Sequence, residues 1–174
     1  MKQILKCTFV LALLMGSGCI NVGTEIQRAP SSMSSDPSSK STDLYLKYVL
    51  AKHSSLESIG TQDCKAFAKQ NVILCESDEC KAILTNQDHR CRDNLCRAFL
   101  TRDENLCPDG TCKALINNQS EKCDSKFKNC RSIVDQDSAS CTTDDCRAVV
   151  EKSEIKCKSK QCKAILSENA NFCE

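Results

Sequence analysis

From Cys64 onward the chain repeats one pattern of apolar and polar positions at a spacing of 16 residues, broken once by a two-residue insertion. Seven units run from cysteine to cysteine, at 64–75, 80–91, 96–107, 112–123, 130–141, 146–157 and 162–173, always with ten residues between the two. With the first cysteine as position one, position two is basic throughout: Lys65, Lys81, Arg97, Lys113, Arg131, Arg147 and Lys163. Position three is alanine except at Ser132. Positions four and five are apolar, from Phe67 and Ala68 in the first unit to Ile165 and Leu166 in the last. A cysteine at one with apolar residues at four and five marks one face of a helix.

Three residues before the first cysteine stand Thr61, Ser77, Asp93, Asp109, Thr143 and Ser159, all able to accept hydrogen bonds from free helix N–H groups. The fifth unit departs from this. Phe127 holds that place, and the two inserted residues precede Cys130. Position eight is polar in every unit (Asn71, Gln87, Asp103, Gln119, Asp137, Ser153, Asn169), which suits a turn or a second cap. Each unit therefore reads as a short helix, a turn and a second helical piece ending at its second cysteine. Small apolar faces of this kind cannot bury themselves alone and must stack on their neighbours. The expected fold is all-α, with short disulfide-closed helical hairpins stacked as a solenoid-like array over residues 62–174.

Ahead of the repeats, "DLYLKYVLAKHSSLESIG" carries Leu44, Tyr45, Tyr48, Val49 and Leu56 at helical spacing, with Asp43 placed as an N-cap. It predicts a capping helix over 43–61. The stretch from Asn21 to Thr42 is rich in serine with two prolines, the composition of a flexible tether. Residues 1–18 have the form of an export signal: Lys2 and Lys6, then the apolar run "CTFVLALLM", too short to span a bilayer, then small residues.

The segment "LLMGSGC" resembles the lipobox of bacterial lipoproteins, although Gly16 stands where that family usually has Leu, Val or Ile. The resemblance implies that Cys19 becomes the lipidated N-terminus and anchors a tether over 19–42 to a membrane. Ile20 following it carries no aspartate-type retention signal, which by the same resemblance points to an outer membrane or cell surface. Gly16 and Gly18 also suit ordinary signal cleavage, leaving a soluble protein that begins at Cys19. Cysteine parity favours the anchor. Of 16 cysteines, Cys7 leaves with the signal and fourteen belong to the units, so Cys19 is the odd one.

Charge narrows the choice of partner. Of 24 basic residues, the loss of Lys2 and Lys6 leaves 22 against 23 acidic ones, so no bulk field draws the protein to nucleic acid. The seven basic second positions would form a ladder if units stack with little rotation, a face for an acidic protein or anionic polymer. The bland alternative is a solvated row paired with neighbours such as Glu79, Asp78 or Asp145.

Sixteen cysteines in 174 residues, with no tryptophan and only five Phe and two Tyr, describe a chain with a thin core that relies on disulfides. Two pairings are open. Were one straight helix to join the cysteines of a unit, eleven steps would separate them by roughly 16 Å, against a limit of about 7 Å for a disulfide, so pairing within a unit requires the chain to reverse. The constant ten-residue interval favours that pairing. The rival joins Cys75 to Cys80, Cys91 to Cys96 and so on across the connectors, and it leaves Cys64 and Cys173 at opposite ends of an elongated array.

The pattern supplies no catalytic constellation: no phosphate loop, no G-x-S-x-G, no H-E-x-x-H, and only His53 and His89. No enzyme activity and no cofactor are expected. The expected function is that of an exported binding or structural scaffold. The alternative is a thiolate store for copper or zinc, against which the absence of C-x-x-C pairs counts. Paired helices and periodic cysteines resemble the Sel1-like repeat proteins in architecture, at under half their period and without their signature glycines.

Overall fold

The computed structural model describes residues 37–174, with side chains from residue 39 onward. The expected export segment, Cys19 and the expected tether up to residue 36 lie outside the described residues. Those described are helical, without strands: α1 Pro37–His53, α2 Thr61–Lys69, α3 Asp78–Thr85, α4 Asn94–Thr101, α5 Gly110–Asn117, α6 Asn129–Val134, α7 Asp144–Glu151 and α8 Lys160–Leu166. Each of α2–α8 is followed by a single 3-10 turn, from Val72–Leu74 in the first unit to Ala170–Cys173 in the last.

Local chemistry makes the unit. Ser77, Asp93, Asp109, Thr143 and Ser159 are N-caps whose side chains accept from the N–H of the cysteine three residues on. Thr61 is instead the first residue of α2, behind Gly60. Position eight caps the 3-10 turn, with Asn71, Asp103, Asp137 and Asn169 accepting from the N–H two residues on. Between helix and turn, position seven is left-handed in all seven units: Gln70, Asn86, Arg102, Asn118, Gln136, Lys152 and Glu168 have φ of 49–59°. None is glycine.

The units form a closed array. Each helix packs on the next, and α8 packs on α2. Helix α1 lies in the middle, touching α3, α4, α5, α6 and α7, and reaching α2 through Tyr45 and Phe67, whose ring centroids are 5.8 Å apart. At about 100° per residue, the buried Leu44, Leu46, Tyr48, Val49, Leu50 and Ala51 cover most of the circumference of this helix and leave one polar stripe, Lys40, Asp43 and Lys47. A helix with so wide an apolar face is buried against neighbours on several sides. The expected cap on one end of the array is thus an axial core helix. It also starts earlier: Pro37 opens it within the serine-rich stretch, Ser41 and Thr42 are buried, and Asp43 is an interior residue paired with Lys47 at 2.9 Å.

Positions one and three, about 200° apart round the helix, are buried on opposite sides of it. Every first cysteine is at most 1% exposed, and the six alanines at position three are at 0%. Only a small side chain fits where short helices crowd together. Position four is buried in the first five units, as Phe67, Ile83, Phe99, Leu115 and Ile133, but only half-buried as Val149 and Ile165.

The disulfides correct the pairing within units. They join neighbours across the connectors, Cys75–Cys80, Cys91–Cys96, Cys107–Cys112, Cys123–Cys130, Cys141–Cys146 and Cys157–Cys162, with Cα–Cα distances of 5.5–5.8 Å. The left-handed residue and the 3-10 turn direct the second cysteine of a unit forward to the next cap. The objection that Cys64 and Cys173 would be stranded assumed an open array. Because the array closes, these two bond to each other across 109 residues.

Glycine matters at one unexpected place. A Cβ on Gly110 would lie 2.4 Å from the Lys122 carbonyl oxygen, where the end of the 3-10 turn Ser120–Lys122 packs back on the start of α5. Gly110→Ala is expected to destabilise the fold by about 2 kcal/mol, as overpacking against backbone does. Arg102→Gly should do the opposite. It relieves a left-handed penalty of about 1–2 kcal/mol against a glycine entropy cost of about 0.5–1, a net gain of about 0.5–1 kcal/mol. Chemical denaturation under non-reducing conditions measures both.

Candidate functional site

All fourteen repeat cysteines are in disulfides, so among the described residues no thiolate is present to hold a metal. One carboxylate, Asp63, lies with the sulfurs of Cys75 and Cys80 within 4.8 Å, but those sulfurs are bonded to each other. Asp63 has a structural task there: its Oδ1 accepts from the N–H groups of Glu76 and Ser77, at 2.8 and 3.1 Å, in the following connector. His53 ends α1 and His89 lies in a 3-10 turn, and both are exposed.

The residue before the first cysteine repeats that task elsewhere, and sequence reasoning missed it. Asp145 Oδ1 accepts from the N–H groups of Lys158 and Ser159 at 2.8 and 2.9 Å, and Asn129 Oδ1 from the N–H and hydroxyl of Thr142 at 2.9 and 2.7 Å. The signal was an acid or amide immediately ahead of Cys64, Cys130 and Cys146. Asp145 is 3% exposed and also takes hydroxyl donors from Ser159 and Ser55. It borders a polar cleft of about 440 Å³ with Ser54, Thr142, Asp144 and Lys158. The two aspartates there are engaged, Asp144 by Arg147 and Asp145 by its four donors.

The basic second positions divide into groups. Lys65 pairs with Glu174 at 3.2 Å, Lys81 with Asp78 at 3.6 Å and Arg147 with Asp144 at 2.6 Å. Lys163 sits over the Phe172 ring, 4.4 Å from its centroid. Arg97, Lys113 and Arg131 are exposed and make no ion pair with any described residue. They stand on three consecutive units. Lys126 and Lys128 are exposed in the inserted connector just before Arg131, with Lys126 paired to Asp124 at 3.6 Å. The ladder is thus interrupted, and its part without direct ion pairs is the sector of α4, α5 and α6, where Lys113 still feels the charge of Glu104.

The same sector holds the end of α1. Asp109 Oδ2 accepts from the Tyr48 hydroxyl and from Lys52 Nζ, both at 2.8 Å, while its Oδ1 caps α5. Lys52 lies 4.7 Å from the centroid of Phe127, the residue that replaced a cap in the fifth unit. Burial pushes the Asp109 carboxyl up, but Lys52, the Cys112 N–H and Tyr48 together outweigh it and hold the group below the usual range. The Tyr48 phenol is pushed up to about 12 by burial and then by its bond to Asp109. Lys52 is raised by Asp109 against a smaller effect of burial.

Among the described residues, no helix is long and apolar enough to cross a membrane. No family model, curated protein or solved structure matches the chain.

These directions fix the pH behaviour. A depressed Asp109 stabilises the fold above its unfolded value near 3.8, and that stabilisation is lost as pH falls through the lower folded value. Tyr48 and Lys52 are raised, so their stabilisation is complete below about pH 10 and is lost above it, through about 12 for Tyr48. Asp109→Ala removes a cap and a partly buried charged acceptor, at about 2–3 kcal/mol. It should also flatten the acid limb of the stability profile below pH 4 in unfolding titrations.

Proposed function

We propose that the protein is a non-catalytic scaffold of the bacterial envelope, tethered through Cys19 and presenting a closed disulfide-bonded array. Its candidate partners are an acidic protein or an anionic polymer. The observation that carries the reading is the run of Arg97, Lys113 and Arg131, three exposed cations on successive helices without ion partners among the described residues. Like charges held on a rigid frame raise the local concentration of an anionic chain, which one exposed cation does not. The disulfides supply the rigidity, and fourteen oxidised cysteines are in keeping with an oxidising compartment. They also count against the thiolate store, whose ligands would have to be made by reducing the bonds that connect the units.

Arg97→Glu, Lys113→Glu and Arg131→Glu combined should abolish retention on an immobilised polyanion such as heparin. The far-ultraviolet circular dichroism should stay unchanged, because these side chains lie outside the core. Salt should weaken the unmutated complex across the range where the Debye length falls from about 10 Å to about 3 Å. Retention that survives both changes sinks the sector as a binding face. Cys19→Ser should separately move the protein from the membrane to the soluble fraction. Equal partitioning of the two forms would remove the anchor from the reading.

A further inference from the structure

Six of the seven disulfides bridge cysteines five or seven residues apart, so each can form from its own connector. The seventh cannot. Cys64 and Cys173 are 109 residues apart and meet only if seven short helices accumulate the curvature that brings α8 onto α2. No connector bond dictates that curvature, because each sets only the step from one unit to the next. Helix α1 does. It is buried over most of its circumference, touches α3 through α7, and places Tyr45 on Phe67 and Tyr48 on Phe99, with the latter centroids 5.5 Å apart. Polar bonds fix its exit at two separate arcs, Tyr48 and Lys52 on Asp109 of the fourth unit and Ser55 on Asp145 of the sixth.

We propose that α1 is the template on which the array closes, and that Cys64–Cys173 is the lock that forms only once α1 has docked. The locking step is a thiol–disulfide exchange with a disulfide oxidant such as oxidised glutathione. The Cys64 thiolate attacks the oxidant and displaces one thiol. The Cys173 thiolate then attacks the mixed disulfide and displaces the second, so the pair loses two electrons and two protons and the oxidant gains them. Both locked sulfurs are then enclosed, since Cys64 and Cys173 are 0% and 1% exposed. Coupling is reciprocal: what α1 contributes to closing the lock, the lock returns to holding α1.

Oxidative refolding of the full chain in a glutathione buffer tests this, with alkylation and peptide mapping at intervals. Leu50 is fully buried on α1, and Leu50→Asp should dislodge that helix without touching any unit. The six connector bonds should form within about twofold of their usual rate while Cys64 and Cys173 remain alkylatable, closing at least about tenfold more slowly. Closure at the unmutated rate overturns the template. So does equal loss of all seven bonds, which would make α1 general core. A second protein, Cys64→Ser with Cys173→Ser, reads the other direction. Amide exchange in α1 should rise by about a thousandfold, the scale of a long-loop disulfide, while α4 and α5 change far less. Unaltered protection of α1 would refute the lock.

Discussion

The structure depends on a chain of short helices meeting its own beginning. With Cys64 bonded to Cys173 and α8 packed on α2, every unit has a neighbour on both sides and the interior has no open end. Taken alone in the loop-entropy account, a disulfide spanning about 110 residues contributes about 4–5 kcal/mol, against about 2 kcal/mol for a loop of six residues. The bond that is least visible in sequence is therefore the largest single constraint on the unfolded chain. The local bonds act differently, holding each 3-10 turn against the next helix cap so that unit geometry repeats.

Closure also explains what the core is made of. Seven short helices packed side by side leave little room between neighbours, where the cysteines at position one and the alanines at position three are buried. What remains is filled by α1 and by Phe67, Ile83, Phe99, Leu115 and Ile133 at position four. The sixth and seventh units carry the smaller or half-buried Val149 and Ile165 there, and α7 touches α1 while the principal partner of α8 is α2. The basic sector and the pinned end of α1 fall on the same units because Asp109, Phe127 and Arg131 belong to one region of the array.

Much of this was legible in the residues. Caps at Ser77, Asp93, Asp109, Thr143 and Ser159, and the polar eighth position, follow from side chains that reach their own backbone N–H groups, a local matter that sequence records directly. Which cysteine meets which was not legible, because it turns on the direction in which Gln70 or Asn86 sends the chain, and those left-handed residues carry no glycine to announce them. The role of α1 was hidden for a related reason. Its hydrophobic residues fit a one-sided helix as well as a largely buried one until the surroundings are known. The clamps of Asp63, Asn129 and Asp145 were visible only as single residues beside a cysteine.

An open repeat array must protect its two end units, ordinarily with modified terminal repeats that turn a polar face outward. Here the first and last units keep the same pattern as the rest, with Ala66 and Ala164 both at 0% exposure. They need no special ends because each covers the other. Closure in turn releases the helix before the repeats from any capping duty and makes it available as axial core. A repeat of ten residues between cysteines, too small to bury its own apolar face, is thereby sufficient: the missing partner surface comes from the neighbouring units and from one helix shared by most of the array.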